Sequence, residues 1–280
     1  MQTTARILRV EPVGAYHRLV LDAPGVRGVR PGHFGALAIG GPDSAALLRR
    51  AFSVHRADPG AGTVEFVFAE AGRGTRALAR HRPGDPVDLI APLGRPFPLP
   101  AGDAVLVAGG YGSAPLFGLA EEILARGGRV AFVLGAATAG RLFGVAEARA
   151  LTPFVRVVTD DGSEGERGRV SDPLPAVLTA LGAADVHSCG PMPMLRAVTA
   201  LATAAGATSH TAVEEAMACG IGLCMSCVLP VTGPDGVTRF VRSCTSGPVF
   251  DGATVRWDQV GTLPPDLEGA SAMTPKGARP

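Results

Sequence analysis

The stretch from Glu214 to Cys244 reads EEAMACGIGLCMSCVLPVTGPDGVTRFVRSC and holds four of the chain's five cysteines. Cys219, Cys224 and Cys227 are spaced C-x4-C-x2-C, and Cys244 follows after a longer gap. This is the plant-type spacing of a [2Fe–2S] cluster, in which four thiolates hold two irons. A tight loop supplies three of them, and a segment that folds back supplies the fourth. The spacing therefore predicts a [2Fe–2S] cluster with these four cysteines as ligands.

Two other uses of these cysteines stay open at this point. A structural zinc site usually takes C-x2-C pairs, and only Cys224 and Cys227 form one. Two disulfides need an oxidising compartment, and the N-terminal sequence MQTTARILRVEPVG lacks the apolar core of a signal peptide. We expect a cytoplasmic protein whose cysteines stay reduced and available to iron, so the spacing favours the cluster.

The composition is that of a globular protein with room for two domains and a small module. The chain has 280 residues, of which 46% are hydrophobic and 18% charged. The formal net charge of +1 gives no bulk attraction to nucleic acid or to a membrane surface. No apolar run is long enough to span a bilayer.

Residues 1–100 consist of short apolar runs separated by Pro-Gly pairs at turn spacing. Several short strands with such breaks predict a small antiparallel β-barrel. The runs that favour strand are Ala5–Val10, Tyr16–Asp22, Phe34–Ile39, Arg50–His55, Thr63–Ala69 and Pro86–Leu89.

Two features of this predicted barrel suit a nucleotide diphosphate. The run from Arg50 to Ser53 places a guanidinium and a small hydroxyl on one strand. The glycine-rich run from Gly72 to Thr75 precedes a predicted helix over Arg76–Arg80 and offers backbone N–H groups to an anion. Alone, the first run is better explained as an ordinary surface arginine beside a buried Phe52, and the second fits a simple turn capped by Thr75 equally well. Together, the two runs favour a diphosphate.

Residues 101–212 alternate short apolar runs with helical patterns, which predicts a doubly wound parallel sheet covered on both faces. The predicted strands are Ala104–Val107, Val130–Leu134, Val155–Thr159, Asp185–Ser188 and Thr211–Val213. The predicted helices are Pro115–Arg126, Ala139–Ala150, Ser171–Leu181 and Pro191–Ala205.

Two turns at the carboxyl ends of these strands are candidate dinucleotide contacts. The run Gly109–Pro115, GGYGSAP, lies between the first strand and the first helix, where a doubly wound sheet binds a pyrophosphate. Cys189 opens a second turn after the fourth strand and could face a nicotinamide, although a small buried residue is the ordinary alternative. We interpret the run Thr159–Ser163 as a solvated turn. No acidic residue follows the second strand directly, and Arg141 is there instead, so NAD and NADP both remain open.

Together these segments resemble the ferredoxin–NADP reductase superfamily. The C-terminal segment MACGIGLCMSC…RSC…GPVF resembles, more narrowly, the electron-transfer subunits of the type B, NAD-dependent dihydroorotate dehydrogenases. The resemblance implies an FAD-binding β-barrel over residues 1–100, an NAD-binding α/β domain over 101–212 and a [2Fe–2S] module over 213–261. Residues 262–280, rich in Pro, Gly, Ala and Ser, are expected to form a disordered tail.

The resemblance also implies roles for particular residues. Ala51 stands where the family's flavin motif has proline, and Phe68 and Ala69 stand where it has a Tyr-Arg pair. The implied FAD contacts are Arg50, Ala51, Phe52, Ser53, Val67, Phe68, Ala69, Gly74 and Thr75. The implied NAD contacts are Gly109, Gly110, Gly112, Ala114, Cys189, Gly190, Pro191 and Met194. The implied cluster ligands are Cys219, Cys224, Cys227 and Cys244.

The function implied by the resemblance is an electron relay without an acid–base residue in this chain. A partner subunit carrying FMN oxidises dihydroorotate to orotate in pyrimidine biosynthesis. Electrons then pass singly through the [2Fe–2S] cluster to FAD, which gives a hydride to NAD+. The family suggests a heterotetramer with two copies of each subunit.

Two alternative functions are kept from the sequence. One is a reductase subunit that serves a hydrogenase or an NADH-dependent ferredoxin:NADP oxidoreductase, because the layout of domains and cysteines is nearly the same. The other is a non-enzymatic redox or zinc-binding adaptor module, which predicts a colourless protein.

Overall fold

The computed structural model describes residues 1–40 and 47–269. Residues 1–93 form a closed barrel, residues 104–212 form a parallel sheet with flanking helices, and the cysteine-rich segment follows. No helix in these described ranges is long and apolar enough to cross a membrane.

The N-terminal barrel is closed and antiparallel, as the sequence predicts. Its strands are in the order β1-β2-β5-β4-β3-β6. The interior is apolar, with Leu19, Leu21, Phe66 and Leu89 fully buried. The elements are β1 (Gln2–Val13), β2 (Tyr16–Asp22), β3 (Phe34–Leu37), β4 (Arg50–Asp58), β5 (Thr63–Phe68), α1 (Arg73–Leu78) and β6 (Pro86–Leu93).

The second unit is the predicted parallel sheet with helices on both faces. Leu106 packs with the α2 side chains on one face, whereas Val105 and Val107 pack with α4 and α5 on the other. This burial of both faces explains why the strand sequences are continuously apolar. The elements are β7 (Ala104–Gly109), α2 (Ala114–Ala125), β8 (Val130–Ala136), α3 (Val145–Leu151), β9 (Val155–Thr159), β10 (Glu166–Arg167), α4 (Leu174–Leu181), β11 (Asp185–Cys189), α5 (Met192–Ala204) and β12 (Thr208–Ala212).

Two of the predicted helices begin later than expected. The predicted helix over 139–150 divides into a short 3-10 turn, Ala139–Arg141, and α3, which begins at Val145. Gly144 has a φ of +77°, and a Cβ there would overlap the ring of Phe117, so glycine interrupts the helix for a packing reason. Helix α4 begins at Leu174, directly after Pro173, and Pro175 lies in its first turn, where a missing N–H costs no intrahelical hydrogen bond.

The C-terminal segment is attached to the parallel sheet at both of its ends. Its elements are β13 (Val228–Thr232), β14 (Thr238–Arg242), α6 (Ser243–Ser246) and β15 (Val249–Asp251). β13 and β14 form an antiparallel hairpin, and β15 pairs antiparallel with β12. The sheet order is therefore β10-β9-β8-β7-β11-β12-β15, with one strand from beyond the cysteines at its edge.

Residues 262–269, which the sequence assigns to a disordered tail, instead contact the β13–β14 hairpin. Leu267 is buried, Glu268 pairs with Arg239, and Asp266 pairs with Arg256. Composition alone could not reveal this packing, because the charged partners lie earlier in the chain. The rest of the expected tail, residues 270–280, lies outside the described residues.

Candidate functional site

A cleft of about 930 Å³ lies between the barrel and the parallel sheet. Its size falls near the top of the range for small-molecule pockets, about 300–1,000 Å³. The predicted cofactor residues that line it are Ala51, Phe52, Ser53 and Val67 from the barrel, and Gly109, Gly110, Gly112, Ala114, Cys189, Gly190, Pro191 and Met194 from the sheet. The structure thus brings most of the predicted flavin and dinucleotide residues to one place.

The glycine turns allow the two predicted dinucleotide segments to touch. A Cβ at Gly112 would lie 2.5 Å from the Cys189 carbonyl oxygen, and one at Gly109 would lie 2.9 Å from the Met194 sulfur. Side chains at either position would force the turn after β7 away from the turn after β11. The result is a narrow backbone-lined cradle at the carboxyl ends of two neighbouring strands, which fits a dinucleotide.

Arg50, Gly74 and Thr75 do not line the cleft but lie together beside it. A Cβ at Gly74 would lie 2.9 Å from Nε of Arg50, so the guanidinium rests on the start of α1. The N–H of Gly72 donates to the Thr75 hydroxyl at 3.0 Å and closes the turn. This pairing of a guanidinium with a glycine turn fits the diphosphate of a flavin nucleotide.

Phe68 and Ala69, the two remaining predicted flavin residues, are not among the residues that line the cleft. The Phe68 ring is buried and stacks on His17 with a centroid distance of 5.3 Å. Ala69 packs at the edge of the apolar core. These positions support the barrel wall, and their roles as flavin contacts stay predictions.

Several residues that line the cleft were not found from the sequence. Asp160 directly follows β9 in an exposed turn, as interpreted from the sequence, and it also lines the cleft, which the sequence did not predict. Arg141 and Arg169 lie at the same end and bring positive charge. The others include Tyr16, Phe34, Tyr111, Glu214, Glu215 and Met217. Tyr111 and Arg141 fall in segments that the sequence analysis discussed for dinucleotide binding, whereas no local pattern marks the others.

The thiol and phenol at the centre of the cleft are held neutral. Burial, and then the charge of Glu214, raise the pKa of Cys189 to about 12. Burial also raises the pKa of Tyr111, with Glu214, Tyr16 and Cys189 as further causes. These groups shape the cleft and do not exchange protons near neutral pH.

The cysteine loop directs its backbone N–H groups at sulfur. Cys219 Sγ accepts from the N–H of Leu223 at 3.3 Å and from those of Ile221 and Cys224 at 3.5 Å. Gly220 and Gly222 have left-handed φ angles of +70° and +86°, which allow this tight winding. Such N–H donors stabilise a thiolate, which is the form that binds iron.

The four loop cysteines form two pairs. Cys219 lies within hydrogen-bond contact of Cys224, and Cys227 lies within contact of Cys244. The second pair is buried and the first is more exposed. Two pairs suit a cluster in which each of two irons takes two thiolates.

The zinc and disulfide alternatives fit this geometry less well. Among residues 1–40 and 47–269, no three His, Cys, Asp or Glu side chains are arranged to hold a single metal ion. A tetrahedral zinc site needs its ligands to converge on one point. All five cysteines carry free thiols, so the structure gives no support to disulfides.

The buried cysteine pair and the cleft share a wall. Phe34 packs with Cys227 and Cys244 in one small apolar cluster, and Ala51 and Met217 pack against it. Phe34, Ala51 and Met217 also line the cleft. A group held by the cysteines is therefore separated from the cleft by a thin apolar layer.

Comparison with known proteins identifies the family. The family described as the iron-sulfur cluster binding domain of dihydroorotate dehydrogenase B matches residues 214–256. The electron transfer subunit of dihydroorotate dehydrogenase B (NAD(+)) from Bacillus caldolyticus is 40% identical over 208 residues, covering 73% of this chain and 78% of its own. The chain belongs to this family. The Desulforamulus reducens subunit is 31% identical and covers 91% of this chain and 98% of its own.

Solved structures of reductases share this fold. A structure of NADH-dependent reduced ferredoxin-NADP oxidoreductase superimposes with a TM-score of 0.80 at 25% identity, covering 98% of this chain and 97% of its own. Ferredoxin NADP+ reductase from Neisseria gonorrhoeae superimposes with a TM-score of 0.61 at 20% identity, covering 73% of this chain and 92% of its own. The predicted family and the predicted combination of barrel and doubly wound sheet are thus confirmed.

Proposed function

We propose that this chain is the electron-transfer subunit of an NAD-dependent dihydroorotate dehydrogenase and acts in pyrimidine biosynthesis. Its cofactors are a [2Fe–2S] cluster, FAD and NAD. The observation that carries the proposal is the wall of Phe34, Ala51 and Met217, which contacts the buried cysteine pair on one side and the cleft on the other. Family membership supplies the identity of the complex.

Each part of the chain contributes positioning to this function. When bound, the cluster would exchange one electron at a time, and the flavin would convert between these one-electron steps and the two-electron reduction of NAD+. The four loop cysteines hold the cluster, and N–H donors to Cys219 tune its potential. Arg50, Ser53, Gly74 and Thr75 hold the flavin nucleotide. The Gly109–Gly112 turn and the Cys189–Met194 turn hold the dinucleotide.

The electron donor in this proposal is a catalytic partner subunit that carries FMN, assembled as two copies of each chain. The outer side of the cysteine loop supports a docking role, because it exposes large apolar side chains around the more exposed cysteine pair. Ile221, Leu223 and Met225 are 43%, 77% and 50% exposed. Apolar residues clustered at this level of exposure on a loop favour burial against another protein.

Cofactor analysis and reconstitution test the proposal. The purified chain should contain about two irons, two sulfides and one FAD. Mixed with an FMN-dependent dihydroorotate-oxidising subunit, it should form NADH from dihydroorotate and NAD+, and neither subunit alone should do so efficiently. A chain that contains one zinc and no flavin contradicts the proposal.

A second candidate function is a ferredoxin-linked reductase subunit. It is favoured by the TM-score of 0.80 with the NADH-dependent reduced ferredoxin-NADP oxidoreductase over nearly the full chain. The same preparation separates the two candidates. NADH oxidation that depends on added ferredoxin, without any dihydroorotate-dependent activity in the reconstituted pair, supports the second candidate.

A further inference from the structure

We propose that Tyr16 is a positioning residue for the dinucleotide in the cleft, an inference that rests on the proposed function. Tyr16 is the first residue of β2, its ring is buried, and its hydroxyl donates to the carbonyl oxygen of Arg141 at 2.6 Å. This hydrogen bond joins a barrel strand to the turn that follows β8. It lies at the border of the cleft, which Tyr16 and Arg141 both line.

The same side chain contacts the other sheet segments around the cleft. Its ring centroid lies 5.1 Å from that of Tyr111 and 6.1 Å from that of Phe143. A Cβ at Gly110 would lie 3.1 Å from the Tyr16 hydroxyl, so the phenol rests on the glycine turn itself. One barrel side chain thus contacts the turn after β7 and the turn after β8.

Within the described residues, the other hydrogen bonds that hold the turn after β8 come from the sheet domain itself. The N–H of Ala139 donates to the Ser163 hydroxyl at 2.7 Å, and the Phe143 carbonyl accepts from the Ser113 hydroxyl at 3.0 Å. Both anchors belong to the sheet domain. From the barrel, His55 also packs on the Phe143 ring at a centroid distance of 5.7 Å, but among residues 1–40 and 47–269 the Tyr16 hydroxyl makes the hydrogen bond that joins the barrel to this turn. That bond helps to fix the turn, and Arg141 on it, relative to the barrel side of the cleft.

Attachment of the two domains does not depend on Tyr16. Arg56 of β4 donates to Glu121 of α2 at 2.5 Å and also pairs with Glu147 of α3. His55 Nδ1 donates to the Ala114 carbonyl at 2.8 Å. Arg56, Glu121 and Glu147 are not among the cleft-lining residues. Loss of the Tyr16 hydroxyl should therefore change the cleft while the domains stay joined.

The substitution Tyr16→Phe removes the hydroxyl and keeps the ring. We expect the Kd of NAD+ for the full chain loaded with FAD and cluster, measured by calorimetry, to rise about five- to tenfold. We also expect flavin reduction at saturating NADH, measured by stopped flow, to slow at least about threefold because the hydride donor is less well aligned. The Tm should change by less than about 2 °C.

Two control variants separate positioning from general effects. Thr179→Val removes a surface hydroxyl that donates to the Pro175 carbonyl, and it should leave the Kd of NAD+ unchanged. Arg56→Gln breaks the ion pairs between the domains and should lower the Tm while the Kd stays within about twofold.

The outcomes are distinguishable. A Tyr16→Phe protein with wild-type Kd and wild-type flavin reduction overturns the inference. A lower Tm with unchanged Kd and rate also overturns it, because Tyr16 is then a packing residue only. If the wild-type holoprotein itself does not bind NAD+, the proposed function and the inference both fail.

Discussion

Mild acid should destabilise this protein through one buried imidazole, that of His187. The side chain lies on β11, stacked on His210 of β12 with a centroid distance of 4.9 Å and edge-on to Phe97 at 5.5 Å. Within the described residues, neither ring nitrogen has a hydrogen-bond partner. Burial, and then the charge of His210, lower the pKa of His187 from 6.5 to about 3.

The sign and size of the effect follow from proton uptake. Below pH 6.5 the unfolded chain binds a proton at this residue that the folded chain does not bind, so the free energy of unfolding falls as the pH falls. The contribution is fully present above about pH 7 and is lost progressively towards pH 3. Between pH 7 and 5 the loss is about 2 kcal/mol, because each pH unit below the unfolded pKa costs about 1.4 kcal/mol. In a chain of this size that corresponds to about 4–8 °C in Tm.

The substitution His187→Leu tests this reasoning, because it removes the titrating group and both unpaired nitrogens. Scanning calorimetry at pH 7 and pH 5 should show a drop in Tm about 4–8 °C smaller for His187→Leu than for the wild type. Histidines that do not contact His187 and the acid sensitivity of the cluster affect both proteins and cancel in the difference; His210, which stacks on His187, is part of the measured effect. Thr179→Val, a surface substitution that removes no titrating group, should respond to pH like the wild type. Equal drops for His187→Leu and the wild type refute the reasoning.

Three further predictions concern the cysteine loop and the cleft. Cys224→Ala should reduce the iron and sulfide content, measured by colorimetric assays, to less than roughly half that of the wild type. The FAD content should not change, since Cys224 does not line the cleft. Full iron content would contradict this prediction. Arg242→Leu removes the N–H donor that holds the Gly222 carbonyl at 2.6 Å, and it should speed cluster loss to a chelator about fivefold. An unchanged rate would contradict this. Asp160→Ala should lower the ratio of kcat/KM for NAD+ over NADP+ about tenfold in steady-state assays, because it removes a carboxylate from a cleft that Arg141 and Arg169 also line. An unchanged ratio would exclude Asp160 as a determinant.

The parts of the molecule that the sequence could predict are those encoded over short distances. Short apolar runs separated by Pro-Gly pairs predicted the barrel. The alternation of strand and helix patterns predicted the parallel sheet. Cys219, Cys224 and Cys227 lie in one short loop, so their spacing could also be recognised in the sequence. Gly109 and Gly112 were also predicted from a short segment, since a glycine turn between a strand and a helix commonly binds a pyrophosphate.

The rest of the site depends on contacts between distant segments. The Tyr16 hydroxyl donates to the carbonyl of Arg141, which lies 125 residues further along the chain. Phe34 of the barrel lies in one apolar cluster with Cys244. No pattern around either aromatic residue distinguishes it from an ordinary core residue. The place of Asp160 in the cleft was not predicted for a different reason, because an exposed polar turn has the same sequence whether or not it borders a ligand site.

The path of the chain fixes how the cysteine loop lies relative to the cleft. On leaving β12, the chain passes Glu214 and Met217, which line the cleft, before it reaches Cys219. It returns through Cys244 directly into β15, where Val249 pairs with Ala212 of β12. Both ends of the loop are thus attached to one strand of the parallel sheet. Excision of residues 213–261 would therefore also remove the edge strand β15 from that sheet.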